Sequence, residues 1–289
     1  MRKLWTVVAL ILNVVLFGSA ANPAKDFVYK LNDAGDGVVI TGYIGKKGGK
    51  VVIPEKIEGM PVVRFECGPL DGWSEGLMYF SKDIIKRNKK NGTYRPPITE
   101  VVFPDTMTEI AGKNGVFESC ESLRSVTLPK KVRYMSGLFS NNNPKLTKIK
   151  MPEEAQVIGA SMFSGCVNLT SIVLPRGLET IGEYAFSGCK SLKSIVIPKG
   201  TVRIEDGAFQ YCESATSLKL PDSIEYIGSY AFRGCGALAK VDILAKQIEY
   251  GGYSTPSAFE GCLKLGLSEQ KKIKASGYTG DFKGLFGVL

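Results

Sequence analysis

The chain has 289 residues, 44% of them hydrophobic, enough for a large core, and a formal charge of +9 from 37 Lys and Arg against 28 Asp and Glu. It contains no histidine, which excludes His-based triads, Cys-His dyads, H-E-x-x-H metal sites and imidazole acid-base catalysis. With no glycine-rich phosphate loop and no Cys-x-x-Cys pair, the composition points away from an enzyme and calls for no cofactor and no metal.

Residues 1–20 read as a secretory signal peptide. Arg2 and Lys3 make a basic start, Leu4 to Phe17 is apolar except for Thr6 and Asn13, and Gly18-Ser19-Ala20 supplies small residues for cleavage. The apolar run is short for a membrane span, which needs about 20 residues. An uncut N-terminal anchor is the alternative. No Cys follows the cleavage point, against a lipoprotein anchor, and no later segment is long and apolar enough to span. Removing Arg2 and Lys3 leaves 35 basic and 28 acidic residues, +7, a balance that favours an acidic protein or glycan ligand and gives no reason to expect nucleic acid. The expected location is secreted, extracellular or cell surface, with the periplasm as the other possibility.

Residues 21–66 alternate in polarity, turn at Gly45 and Gly48–Gly49, and offer a strand at Val51–Ile53. They suit an N-terminal cap or entry repeat. Residues 67–97 are a basic aromatic insertion, with Trp73, Tyr79, Phe80 and then KDIIKRNKKNGTYR. Ser81 and Gly92 could bracket a short helix. One reading is a binding element with Lys86, Arg87, Lys89 and Lys90 outermost; the other is a solvated helix whose aromatics pack on the first coil. Cys67 is the one cysteine outside the repeat described next, either a reactive thiol or one more inert buried one.

From residue 98 to residue 262 a 23-residue unit repeats, with starts at Leu123, Leu146, Leu169, Leu192, Ala215 and Leu238, and a stretched first unit at Ile98. A fixed period of this length means a solenoid, whose coils stack and cannot fold alone. In LTSIVLP (169–175), Ile172 and Leu174 alternate with Ser171 and Val173, a strand pattern. Pro175 ends it, as do Pro104, Pro129, Pro152, Pro198 and Pro221 in their units. The expectation is one parallel sheet of seven or eight strands, spaced about 4.8 Å apart.

The second half of the unit carries an Ile (Ile110, Ile158, Ile181, Ile204, Ile227, with Met135 in one unit) and then an unbroken Phe: Phe117, Phe139, Phe163, Phe186, Phe209, Phe232 and Phe259. One residue per coil at one offset makes one line along the axis. Apolar neighbours make that line core, and a row of aromatic ligand sites is the weaker alternative. Cys120, Cys166, Cys189, Cys212, Cys235 and Cys262 follow the same rule, with Asn143 in the place of one. Stacked, parallel cysteines lack the facing geometry of a disulfide. Cys and Asn can both donate to a backbone carbonyl in a tight turn, so reduced, buried thiols are expected.

The pattern L-x-x-I-x-[LI]-P…I-G-x-x-A-F-x-G-C resembles the BspA-like class of leucine-rich repeats, directly over Ile98 to Cys262, with VVITGYIGKKGGKVVIPEKIEGMPVVRF (Val38 to Phe65) similar to that family's entry module. The resemblance implies an α/β solenoid: a leucine-rich-repeat right-handed superhelix, strand-rich with short helical turns and capped at both ends. It also implies a secreted or surface role in adhesion or protein binding, and it brings no catalytic residues. Asn143, an insertion over 250–256 and the break after Cys67 depart from the pattern.

Residues 263–289 then form the C-terminal cap, with Ser268 capping a short helix over 269–275, Ile273 inward, and Phe282, Leu285 and Phe286 over the last coil. The outward strand row reads Val102, Thr127, Lys150, Val173, Val196, Lys219 and Asp242, with Ser125, Lys148, Ser171, Ser194, Ser217 and Lys240 beside it. A row of this kind suits a broad protein or glycan contact, with Lys148, Lys150 and Lys219 as candidates. The expected function is a monomeric secreted or cell-surface binding and adhesion protein. The alternative is a surface scaffold or polysaccharide-associated accessory protein without a host partner.

Overall fold

The computed structural model describes residues 21–43, 48–67, 98–112, 117, 122–135, 138–139, 145–147, 149–251 and 257–282. At the N-terminal end, Phe27–Leu31 and Val38–Tyr43 form an antiparallel hairpin. The Asn32 side chain closes its turn by accepting from the amides of Asp36 and Gly37. Val38–Tyr43 then pairs in parallel with Met60–Cys67, so the chain passes from a hairpin to a coil by Cys67.

Each coil has two strand positions, one more than the expected single sheet. The outer position is the one the alternation predicts. Ser194–Val196, Ser217–Leu220 and Lys240–Ile243 form one three-stranded parallel sheet, and Gly49–Val52, Ile98–Val102 and Ser125–Thr127 another. Between them the row narrows to single bridges, Thr127 to Lys150 and Lys150 to Val173. Register follows the repeat: Ile195 lies beside Leu218 and Leu218 beside Val241, all three buried.

The inner position is built on the recurring Ile. Tyr134–Met135, Val157–Ile158, Thr180–Ile181, Arg203–Ile204, Tyr226–Ile227 and Glu249–Tyr250 pair in parallel, coil on coil. Through Glu109–Gly112 and Met60–Cys67 this row runs back to the hairpin and completes an 11-stranded sheet among the described residues. Two-residue strands have no alternation to detect, which is why the sequence shows only a buried Ile there. Where a glycine follows the Ile, as at Gly182, the coils stack closely. A Cβ on Gly182 would meet the backbone of Ile158, Gly159 and Ala160 at 2.9–3.0 Å.

The turn after the inner strand carries the aromatic line. From Phe117 to Phe259, seven rings stack with centroids 4.9–5.6 Å apart and planes within 17° of parallel. Each is no more than 1% exposed. The backbone sets the spacing: the amides of Phe163, Phe186 and Phe209 each donate at 2.7 Å to the carbonyl of Ala185, Ala208 and Ala231 in the next coil. Toward the N-terminus, Phe103 and Phe65 continue the line edge-on.

The C-terminal helix spans Leu267–Ala275 with Gly266 as its N-cap, so Ser268 lies inside the first turn rather than capping it. Gly is an acceptable N-cap, and the Gln270 side chain donates to the Leu265 carbonyl at 2.8 Å across this end. Ile273 is fully buried. Gly277, at φ 108°, turns the chain where a Cβ would lie 3.0 Å from the Ile248 carbonyl. Tyr278 and Phe282 then pack on Phe259, and the Gly261 amide donates to the Phe282 carbonyl. Leu285 and Phe286 lie outside the described residues.

Replacing Phe186 with Ala removes a ring packed between Phe163 and Phe209. In a core this regular the gap cannot collapse without breaking coil registry, so a loss of about 3–5 kcal/mol is expected in equilibrium denaturant unfolding. A loss below about 1 kcal/mol would contradict a close-packed aromatic line.

Candidate functional site

Strand periodicity and coil register together place the outward side chains of the outer row in line. Val102 is half-buried, while Thr127, Lys150, Val173, Val196, Lys219 and Asp242 are exposed. Val173 is 82% and Val196 58% exposed, in a chain whose other strand apolars mostly face inward. Lys150 makes one long contact with Glu153, 3.9 Å, between two exposed side chains, which contributes little to stability. Lys219 pairs in register with Asp242. Ser125, Ser171, Ser194 and Lys240 are exposed beside the row and Ser217 is half-buried. Of the expected ligand-binding residues, Lys150 and Lys219 thus stand on one row, two coils at its centre separating them. Lys86, Arg87, Lys89, Lys90 and Lys148 lie outside the described residues.

The thiols face inward. Each donates to the carbonyl of the ladder Phe one coil back: Cys189 to Phe163 at 3.3 Å, Cys212 to Phe186 at 3.4 Å, Cys235 to Phe209 at 3.3 Å and Cys262 to Phe232 at 3.2 Å, with Cys166 to Phe139 longer at 3.8 Å. All five are buried and free of disulfides. Burial pushes the thiols of Cys189, Cys212 and Cys262 well above the ordinary range. These are inert structural donors, the opposite of a reactive thiolate. Cys120 and Asn143 lie outside the described residues. Cys67 ends the strand Met60–Cys67, and its side chain lies outside them too.

The turn segments hold a feature the sequence reading missed. Two positions per turn take a left-handed backbone, two residues before and two after the ladder Phe. The first is filled by Ser161, Tyr184, Gly207 and Tyr230, the second by Gly165, Gly188, Tyr211, Gly234 and Gly261. A side chain in this conformation costs about 1–2 kcal/mol. Yet Tyr184, Tyr211 and Tyr230 adopt it, 41%, 43% and 39% exposed. The available signal was Tyr211, which stands where four other coils have glycine.

No cluster of three metal-ligating side chains occurs among the described residues, and none of their helices is long and apolar enough to cross a membrane.

The family model for the BspA type leucine rich repeat region matches residues 93–191 and 135–266, in six copies. The crystal structure of the T. pallidum leucine rich repeat protein is similar at 28% identity and a TM-score of 0.63, covering 92% of this chain and all of that one. A leucine-rich repeat protein from Bacteroides ovatus is 20% identical over 83% of this chain and 68% of its own, with a TM-score of 0.46. The pneumococcal vaccine antigen PcpA is 15% identical over 85% and 69%, with a TM-score of 0.49. None of the curated proteins matches the sequence.

The buried thiols link stability to pH. In the unfolded chain a thiol ionises near about pH 8.5, whereas the folded values of Cys189, Cys212 and Cys262 lie higher. Above about pH 8.5 the unfolded state therefore binds fewer protons than the folded one. Stability is fully present below that point and is lost as pH rises toward the folded values. Denaturant unfolding from about pH 7 to about pH 9.5 should show this decline, and Cys189→Ala with Cys212→Ala should flatten it. A flat profile in the parent would contradict the assignment, as would non-reducing mass spectrometry showing disulfides among Cys166, Cys189, Cys212 and Cys235.

Proposed function

The chain belongs to the BspA-type leucine-rich repeat family, and from that premise we propose that it is a secreted or cell-surface binding and adhesion protein that recognises a protein or glycan and catalyses no reaction. The observation that carries this reading is the outward strand row. Val173 and Val196, in adjacent coils, are exposed between Lys150 and Lys219 on a surface the fold does not need for its own packing. An apolar centre with a basic rim fits an acidic macromolecular surface. In the sequence, Lys86, Arg87, Lys89 and Lys90 fall between the strands Met60–Cys67 and Ile98–Val102 and add to the basic character of the chain. Supporting the non-catalytic reading, the chain has no histidine, which removes imidazole acid-base catalysis and His-based nucleophilic chemistry.

The alternative is a polysaccharide-associated surface protein with no host partner. The half-exposed tyrosines of the turn segments favour it.

Heparin, an acidic glycan, is a direct probe of the basic contact. Attraction between exposed charges is screened over about 8 Å at physiological salt, so retention should fall steeply with added salt. Replacing Lys86, Arg87, Lys89 and Lys90 with Glu should move elution to markedly lower salt with the melting temperature little changed, because exposed charges contribute little to stability. Val173→Asp with Val196→Asp should weaken binding at least ten-fold in titrations against an acidic protein partner recovered from host matrix. Unchanged elution after charge reversal would remove the insertion from the site. Unchanged affinity after both Val substitutions would remove the strand row.

A further inference from the structure

We propose that Tyr184, Tyr211 and Tyr230 form a platform for a neutral, extended glycan built of β-1,4-linked pyranose rings. The inference goes beyond the strand-row reading and does not depend on it. The three tyrosines belong to three successive coils and alternate between the two left-handed turn positions. Each of these residues is about two-fifths exposed. The Tyr184 ring leans over Gly207 of the next coil and the Tyr211 ring over Gly234, and a Cβ on either glycine would sit 2.5 Å from the ring. Glycine at those two places is what leaves room for the rings against the turns. They lie outside the fully buried line of Phe186, Phe209 and Phe232. Strained backbone that holds exposed aromatic rings, where neighbouring coils use Gly or Ser, is an observed outlier that points to function.

Spacing and charge identify the ligand class. Phe186, Phe209 and Phe232 lie 4.9 and 5.6 Å apart, which sets the coil rise on which the tyrosines are carried. Tyr184 and Tyr230 share the position two residues before the ladder Phe, two coils apart, which is about the repeat of two sugars in an extended β-1,4-linked chain, and Tyr211 stands in the coil between them, four residues further round the turn. The C–H face of a pyranose packs on an aromatic ring while its hydroxyls reach the polar rim. Gln210, whose side chain donates to Ser187 at 3.0 Å, supplies a hydroxyl partner there, while Arg233 stacks 4.9 Å over one face of the Tyr230 ring. The charges beside the rings pair with one another: Lys190 with Glu213 at 2.9 Å and Arg233 with Glu260 at 3.3 Å. That local balance favours a neutral, hydroxyl-rich occupant over an ionic one.

The test is calorimetric titration of the full chain with cellohexaose, and with maltohexaose, whose α-1,4 linkage coils the chain. Binding of cellohexaose at least ten-fold tighter than maltohexaose is expected. The triple variant Tyr184→Ser, Tyr211→Gly and Tyr230→Ser uses only residues that these turn positions hold elsewhere in the chain. It should keep its melting temperature and lose cellohexaose affinity at least ten-fold. Tyr211→Gly alone, which also relieves the backbone, should weaken binding without destabilising, and it serves as the readout if the triple variant does not fold. Tyr211→Phe should bind like the parent. Absence of cellohexaose binding, equal binding of maltohexaose, or unchanged affinity in the tyrosine variants would overturn the proposal. The Val173→Asp and Val196→Asp variant should bind the sugar as the parent does. If it loses the sugar while the tyrosine variants keep it, the platform is wrong and the strand row is the glycan site.

Discussion

The structure depends on one constraint: every coil hydrogen-bonds through its backbone to the next, at three places around its circumference. The outer strand row, the inner Ile row and the turn amides each repeat in steps of one coil, as in Ser194 to Ser217, Thr180 to Arg203 and the Phe186 amide to Ala208. The strand-pair spacing is about 4.8 Å, and once three ladders share it, buried side chains have no freedom along the axis. Each must stack on its own copy. The 4.9–5.6 Å ring spacing is therefore a consequence of the backbone, and aromatic rings suit it because offset parallel stacking is favourable near that distance. The thiols obey the same rule. A Cys that points at a carbonyl one coil back has its nearest thiol neighbour beside it rather than facing it.

This constraint explains which parts of the fold were legible in the sequence. Identity at one offset is visible when only one residue type fits, so the Phe and Cys lines could be read directly. The outer strand was legible from alternation at Ile172 and Leu174. The inner strand was not, because Thr180–Ile181 contributes two residues, too few for alternation, and the glycine packed against the coil before it at Gly182 gives way to Glu205 in the next coil. The helix start was misplaced for a related reason. Ser268 looks like a cap by residue type, but the chain has its extended residue two positions earlier, where Gly266 enters from the packed Leu265. Position along the solenoid axis outweighed local propensity.

The ends obey the interior's geometry with different residues. At the N-terminal side the ring line changes from stacked to edge-on at Phe103 and Phe65, where the units are longer than the repeat. At the C-terminal side Tyr278 meets Phe259 edge-on, its hydroxyl donating to the Asp281 carbonyl at 3.0 Å while Phe282 extends the turn ladder. Edge-on packing is what a stack adopts when the next coil no longer supplies a parallel ring. Tyr250 takes the Ile place in the last inner strand and bonds Ser276, which lets a polar tip reach the segment that follows the helix.

The candidate surfaces were legible to different degrees because the repeat constrains them differently. Outward strand positions alternate with core positions, so the sequence locates them, yet nothing in the fold dictates what they are. Val173 and Val196 stand out for that reason: an interior that is complete without them leaves their exposure unexplained by packing. Turn positions are harder to read, since whether Tyr211 points into the core or out depends on a left-handed backbone that a one-dimensional pattern does not display. The glycine at its place in four other coils is the only trace. A solenoid separates its tasks in this way. Residues that repeat without change hold the coils at one spacing, and residues that break the repeat while leaving that spacing intact are free to be chosen by a ligand. Tyr184, Tyr211 and Tyr230 meet both conditions, because their amides or carbonyls stay in the ladders their neighbours use: the Tyr184 amide still donates to Asp206 and the Tyr211 amide to Arg233. The backbone treats them as glycine or serine, and only the surface differs.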